Sequence, residues 1–143
     1  MVSGAVFVYD PLADTSIFAK NADSPLGIAS ITKLMTAVVA LERIGENDVV
    51  EIHKEAVETE GNEGSLAVGE HLTLHDLILI MLTGSSNDAA AAIAEHVGLL
   101  YGASSFEESQ SVFVGLMNET AEKLGLQNTR FENPSGLDID ESA

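Results

Sequence analysis

The sequence lacks or is short of several residue types, and each shortage excludes a class of function. It has no cysteine, which excludes disulfide bridges, thiolate catalysis and cysteine-ligated metals. It has only 6 lysines and arginines against 23 aspartates and glutamates, and the resulting net charge of −17 would repel a nucleic-acid backbone. The longest strongly apolar run, Leu77 to Leu82, is too short to cross a membrane. The remaining interpretation is one globular domain of 143 residues.

Residue patterning predicts a short β part followed by a longer helical part. Alternating residues on both sides of a polar turn predict strands, and apolar residues at helical spacing predict helices. Thr73 and Ser105 each precede an acidic residue by three positions, which is the signature of a helix N-cap. The predicted elements are a β-hairpin over 4–21, a helix from about Ser30 to Ile44, a short strand over 49–52, and helices beginning at Thr73, Ala89 and Ser105.

The first candidate for chemistry is the pair Ser30 and Lys33, at the start of the first predicted helix. Residues three apart lie on one helical face, about one turn apart. A serine in the first turn meets free N–H groups that favour a developing negative charge, and a lysine with a pKa lowered by burial can act as its base. The alternative is an N-cap serine and a solvated lysine, because this spacing arises by chance in roughly half of chains this long.

The second candidate is the segment GSSND, residues 84–88, between two predicted apolar helices. Ser85 could relay a proton, and the amide of Asn87 could hold a substrate carbonyl. The alternative is a linker in which Ser86 or Asn87 caps the following helix.

Together with the surrounding sequence, these motifs resemble the D-alanyl-D-alanine carboxypeptidases, the low-molecular-mass penicillin-binding proteins. The resemblance runs from about Val6 to Asp138 and includes AKNADSPLGIASITKLMTA, EGSLAVGEHLTLHDLILIMLTGSSNDAAAAIAEHV and FVGLMNETAEKLGLQNTRFENPSGLD. It implies an α/β fold of the β-lactamase and penicillin-binding transpeptidase type, with a sheet flanked by helices. Residues 1–143 would then be the N-terminal portion of one catalytic domain, with a hairpin and loop over 1–28 and a mainly helical part over 29–143.

The resemblance also implies roles for the candidate residues. Ser30 would be the acylated nucleophile, Lys33 its general base, and Ser85 a proton relay to the leaving group, while Asn87 would bind the substrate. The substrate would be a peptidoglycan stem peptide ending in D-Ala-D-Ala, with β-lactams as covalent inhibitors and no cofactor. Ser86 stands where the family often has glycine and class A β-lactamases have aspartate, which favours a carboxypeptidase. The location would be extracytoplasmic, with the export signal outside this chain.

The sequence departs from the family pattern at the third motif, Lys-Thr-Gly or Lys-Ser-Gly. None of the lysines (Lys20, Lys33, Lys54 and Lys123) is followed by Thr-Gly or Ser-Gly. In the family this motif comes further along the chain, on a strand beside the nucleophile, and binds the substrate carboxylate and completes the oxyanion hole. We therefore expect the C-terminal strands of the sheet to be missing. We also expect little carboxypeptidase activity from this chain alone, since one oxyanion-hole donor is worth about 10²–10³ in rate.

Other functions stay open at this point. The chain could be a β-lactamase or an endopeptidase of the same superfold. It could also be a non-catalytic module that binds peptidoglycan, or that forms a homodimer through an open sheet edge, because unpaired edges invite strand addition. No metal site is predicted, because the expected N-cap at Thr73 separates His71 from His75 and they do not share a helical face.

Overall fold

The computed structural model describes residues 3–61 and 66–137. The predicted hairpin and the four long helices are confirmed. A short helix, Lys54–Val57, and a short strand, His71–Thr73, were not predicted, because three or four residues show no clear periodicity. The described part contains no helix that is long and apolar enough to cross a membrane. The elements are β1 (Val6–Asp10), β2 (Thr15–Lys20), a 3₁₀ turn (Ala29–Ile31), α1 (Thr32–Arg43), β3 (Val49–Glu51), α2 (Lys54–Val57), β4 (His71–Thr73), α3 (Leu74–Gly84), α4 (Asn87–Leu100) and α5 (Phe106–Lys123).

The strands form two separate antiparallel pairs. In the first, β1 pairs with β2, and the register runs from Val6 opposite Lys20 to Asp10 opposite Thr15. The Asp10 carboxylate accepts the amide of Leu12 at 2.9 Å, which closes the turn between the strands. In the second pair β3 lies against β4, and this pairing brings the chain back to the start of α3.

Helix α4 is the centre of the helical body. Eleven of its fourteen residues are buried, and it packs against α1, α2, α3, α5 and β3. Its run of small residues lets these neighbours approach closely. The clearest case is Gly98, where an added Cβ would lie 2.4 Å from Ser109 Cα on α5. The sequence of α4 therefore sets the spacing of the helical layer that carries the candidate site.

Helix α1 buries a face that mixes polar and apolar residues, and it exposes most of the apolar stripe whose spacing predicted it. Lys33 and Thr36 are buried. Of the five apolar residues whose spacing predicted the helix, Met35 is buried, while Ile31, Leu34, Val38 and Leu41 are 42% to 64% exposed. The hairpin is exposed too, including every residue of β2. The periodicity thus predicted a helix correctly, but four of the five stripe residues face solvent and Met35 alone of them lies in the core.

Candidate active site

Strained backbone positions lie beside both candidate serines. Ala29, which precedes Ser30, has φ of 46°, and Ser85 itself has φ of 56°. Both values fall in the left-handed region, which side chains other than glycine rarely adopt and which is enriched at functional sites. The 3₁₀ turn that begins at Ala29 leads directly into α1, and Ser85 follows the last residue of α3. The Ser30 hydroxyl therefore lies at the start of α1 and the Ser85 hydroxyl at the end of α3.

The structure brings three of the predicted site residues into direct contact. The Lys33 amine donates to Ser30 Oγ at 3.0 Å, and Ser85 Oγ donates to Ser30 Oγ at 2.9 Å. Ser30 and Ser85 are exposed, whereas Lys33 is only 1% exposed. Ser30 lies in the 3₁₀ turn and Lys33 in the first turn of α1, and residues three apart at a helix start share one face, which brings the lysine against the serine. An accessible nucleophile with a buried amine beside it is what base-assisted attack requires.

Burial lowers the pKa of Lys33 from its ordinary value of 10.5, because the ammonium loses hydration inside the protein. The amine also donates to the backbone carbonyl of Ser135 at 2.8 Å. A lowered pKa increases the fraction of neutral amine near neutral pH, and only the neutral amine can accept the hydroxyl proton of Ser30. The Lys33 amine lies 3.0 Å from Ser30 Oγ, which is within reach for such a transfer.

The segment 132–137 completes the surroundings of Lys33, and sequence reasoning treated it only as a turn. Besides the Ser135 contact, Thr36 Oγ1 on α1 donates to the carbonyl of Pro134 at 2.6 Å. Gly136 has φ of +74°, and an added Cβ would lie 1.9 Å from the carbonyl oxygen of Ala29. Only glycine fits so close to Ala29, the strained residue before Ser30. The sequence shows this segment only as an NPSG turn. The residues of α1 that it contacts, Lys33 and Thr36, lie 102 and 98 residues away along the chain.

The alternatives for the candidate serines are resolved by the capping geometry. The N-cap of α1 is Ile31, with no side-chain capping bond, so Ser30 is not a helix cap. The N-cap of α4 is Ser86, whose hydroxyl accepts the amide of Ala89 at 3.0 Å. The two neighbouring serines thus make different contacts: Ser86 caps α4, and Ser85 binds Ser30.

The side chain of Asn87 binds a backbone carbonyl elsewhere in the described chain. Asn87 begins α4, is 7% exposed, and donates its amide to the carbonyl of Glu60 at 3.1 Å. It also forms part of the wall of a largely apolar cleft of about 370 Å³ between α4, α5 and the segment 132–137. Its predicted role in substrate binding therefore stays a prediction. Residues lining this cleft include Asn87, Ala91, Phe106, Val114, Glu132 and Leu137.

An exposed serine contacted by a buried lysine and a second serine is typical of serine hydrolases that use lysine as the base. Comparison with known families agrees with that class. The family model for D-alanyl-D-alanine carboxypeptidases, peptidase family S11, matches residues 2–143, and the chain belongs to this family. The α/β fold expected from the sequence is confirmed by similarity to solved structures. The D-alanyl-D-alanine carboxypeptidase DacD of Francisella tularensis gives a TM-score of 0.85 at 30% identity, covering 99% of this chain and 33% of that one.

Curated relatives include proteins with two different names. A D-alanyl-D-alanine endopeptidase of Pseudomonas aeruginosa is 33% identical over 97% of this chain and 43% of its own length. The D-alanyl-D-alanine carboxypeptidase DacF of Bacillus subtilis is 33% identical over 85% of this chain and 30% of its own length. The chain thus spans less than half the length of either relative.

Proposed function

We propose that this chain carries the acylating centre of a serine-type D-Ala-D-Ala carboxypeptidase that trims peptidoglycan stem peptides. The observation that carries the proposal is the pair of contacts on Ser30 Oγ, from Lys33 at 3.0 Å and from Ser85 at 2.9 Å. Family membership supports the substrate, a peptide ending in D-Ala-D-Ala, and supports β-lactams as covalent inhibitors. Such peptides lie outside the cytoplasmic membrane, so we also propose an extracytoplasmic location. Cell fractionation that finds the protein only in the cytoplasm would contradict it.

In the proposed reaction Ser30 Oγ attacks the carbonyl carbon of the penultimate D-Ala. Its proton passes to the neutral Lys33 amine, and the C–N bond to the terminal D-Ala breaks as Ser85 relays a proton to the leaving amine. Water then hydrolyses the Ser30 ester and releases the shortened peptide. The cleft beside Asn87 provides a surface along which the rest of the peptide can lie.

The test is the intact mass of the folded chain after long incubation with excess benzylpenicillin. We expect a slow increase equal to the mass of one penicillin, located on Ser30 by peptide mapping. Ser30→Ala, which keeps the fold and removes the nucleophile, is the control. No adduct on the folded wild-type chain, or an equal adduct on Ser30→Ala, would contradict the proposal. Slow acylation without turnover is expected, because no Lys-Thr-Gly or Lys-Ser-Gly motif is present in the sequence.

An endopeptidase is the second candidate, and the P. aeruginosa relative favours it. It would cleave a D-Ala bond within a cross-link between two stem peptides, using the same Ser30 ester. Mass spectrometry of the products from a pentapeptide and from a cross-linked dimer separates the two activities. Release of free D-Ala supports the carboxypeptidase, and separation of the dimer without free D-Ala supports the endopeptidase.

Self-association of two copies is a further proposal about partners. The exposed hairpin and the exposed apolar stripe of α1 support it, because both surfaces could be covered by another chain. Sedimentation velocity over a wide concentration range tests it. A single species of about 15 kDa at every concentration would contradict it.

A further inference from the structure

Asn133 holds the turn that contacts Lys33. Its side-chain oxygen accepts the backbone amides of Ser135 at 3.1 Å and Gly136 at 2.6 Å, and also the Ser135 hydroxyl at 3.2 Å. Its side-chain nitrogen donates to the carbonyl of Leu137 at 2.8 Å. One side chain thus makes four hydrogen bonds to the three residues from Ser135 to Leu137, which fixes the direction of the backbone between them.

The same turn is fixed to α1 and to the residue before the nucleophile. Thr36 binds the carbonyl of Pro134 at 2.6 Å, and Lys33 binds the next carbonyl, that of Ser135, at 2.8 Å. Gly136 then packs against the carbonyl of Ala29 so closely that no side chain fits. The turn therefore touches both the base and the residue beside Ser30, and Asn133 determines its shape.

The direction of the Ser135 carbonyl matters for the chemistry of Lys33. A neutral amine has two N–H bonds and one lone pair. When one N–H points to the Ser135 carbonyl at 2.8 Å, rotation about the Cε–Nζ bond is restricted. The protonated amine donates to Ser30 Oγ at 3.0 Å, and in the neutral amine the lone pair can take that direction while the N–H to Ser135 is kept. Without a fixed acceptor, the neutral amine could rotate about the Cε–Nζ bond, and its lone pair would face Ser30 for less of the time.

We propose that Asn133 is a positioning residue for the base: through the Ser135 carbonyl it holds the Lys33 amine with its lone pair towards Ser30 Oγ. This inference rests on the proposed function for its consequence in catalysis. Its structural part, the packing of the turn over Lys33, can be measured whether or not the chain is acylated.

The first measurement is competitive labelling of lysines with trace acetic anhydride, followed by peptide mapping. Lys33 is 1% exposed and Lys54 has a side chain 68% exposed, so Lys54 is an internal reference. In Asn133→Ala we expect the labelling of Lys33 relative to Lys54 to rise by about fivefold or more, because the turn opens locally. Gly136→Ala should do the same by a different route, since its Cβ would collide with Ala29.

The matched control is Asn118→Ala. The Asn118 side chain also makes hydrogen bonds to backbone, just before the segment 132–137, to the amide and the carbonyl of Phe131, both at 2.9 Å. It does not bind the turn from Ser135 to Leu137. A loss of stability without a change in the labelling of Lys33 is therefore expected for Asn118→Ala. If Asn133→Ala does not fold, Asn133→Ser, which keeps a shorter acceptor, takes its place.

The second measurement is the acylation of Ser30 by benzylpenicillin as a function of concentration. In Asn133→Ala the limiting rate constant should fall by about tenfold or more, while the half-saturating concentration changes little, because a misdirected base slows chemistry and not binding. A Lys33 labelling ratio equal to wild type in both turn variants, or equally raised in Asn118→Ala, would overturn the inference. Absence of acylation in the wild-type chain would contradict the proposed function alone, and the labelling result would still decide the role of Asn133.

Discussion

Lys33 is buried beside Ser30, with its amine 3.0 Å from an exposed hydroxyl. Burial of an ammonium costs stability, since the charged group loses its hydration. The proposed base is therefore held in an environment that lowers the stability of the fold. The same relationship gives a prediction about how stability depends on pH.

Lys33→Met should stabilise the protein at neutral pH by about 1 kcal/mol, because methionine removes the cost of burying an ammonium. The folded pKa of Lys33 lies below its unfolded value of 10.5. The cost is therefore fully present below the folded pKa, shrinks as pH rises from the folded pKa towards 10.5, and then disappears. Urea unfolding of both proteins at several pH values measures the difference, which should be largest at the acidic end.

The control for this prediction is Lys54→Met, on the exposed surface of α2. It should leave stability nearly unchanged at each pH. Lys33→Met should also lose penicillin acylation, so stability and chemistry should move in opposite directions. Lower stability of Lys33→Met at every pH would contradict the explanation.

Ser85 and Ser86 are adjacent, and their alanine variants should fail in different ways. Ser86 caps α4 through a hydrogen bond of 3.0 Å to the amide of Ala89 and is fully buried. Ser86→Ala should cost about 1 kcal/mol of stability with acylation at near wild-type level. Ser85→Ala should unfold like the wild type but be acylated about tenfold or more slowly, since proton transfer is impaired. Thermal unfolding and intact-mass kinetics on the same two samples check both expectations, and equal losses of stability would contradict them.

Sequence reasoning found the parts of this structure that depend on near neighbours. Thr73 and Ser105 were predicted as caps, and each accepts the amide of the residue three positions on. That interaction is contained in four consecutive residues, so the sequence displays it directly. Ser30 and Lys33 were found for the same reason, since their contact lies within one turn.

The parts that were missed depend on distant contacts. The carbonyl of Ser135 lies 102 residues after Lys33, and no local pattern shows that the two meet. The spacing of Leu34 and Val38 predicts a helix but says nothing of whether another element covers that face, and here it is exposed. The pairing of β3 with β4 was missed because strands of three residues have too little alternation to recognise.

The contact between His53 and Glu95 should make stability fall as pH rises above 6.5. His53 Nδ1 lies 3.0 Å from the buried Glu95 carboxylate, and this hydrogen bond raises the pKa of the histidine above 6.5. The stabilisation is complete below the unfolded pKa and is lost as pH rises through the folded pKa. The effect should stay below about 1 kcal/mol, because the His53 side chain is 40% exposed.

Glu95→Gln should remove this fall in stability above pH 6.5, as measured by urea unfolding. Burial lowers the pKa of His96, so its own contribution falls below pH 6.5 and does not disturb that window. Glu51→Gln is the control, because Glu51 lies 3.9 Å from His53 and is more exposed. An equal effect of both variants would contradict the assignment to Glu95.

The close approach of α4 and α5 should make Gly98 intolerant of even one added methyl group. A Cβ at Gly98 would lie 2.4 Å from Ser109 Cα, which is backbone and cannot rotate away. Gly98→Ala should therefore destabilise the protein by about 1–3 kcal/mol through overpacking.

Gly115, on the exposed face of α5, has no atom within 4 Å of an added Cβ. Gly115→Ala should stabilise the protein by about 0.5–1 kcal/mol, because alanine favours the helix. Thermal unfolding of the two variants compares the same chemical change at two sites, and equal shifts would show that helix spacing does not control the stability of this core.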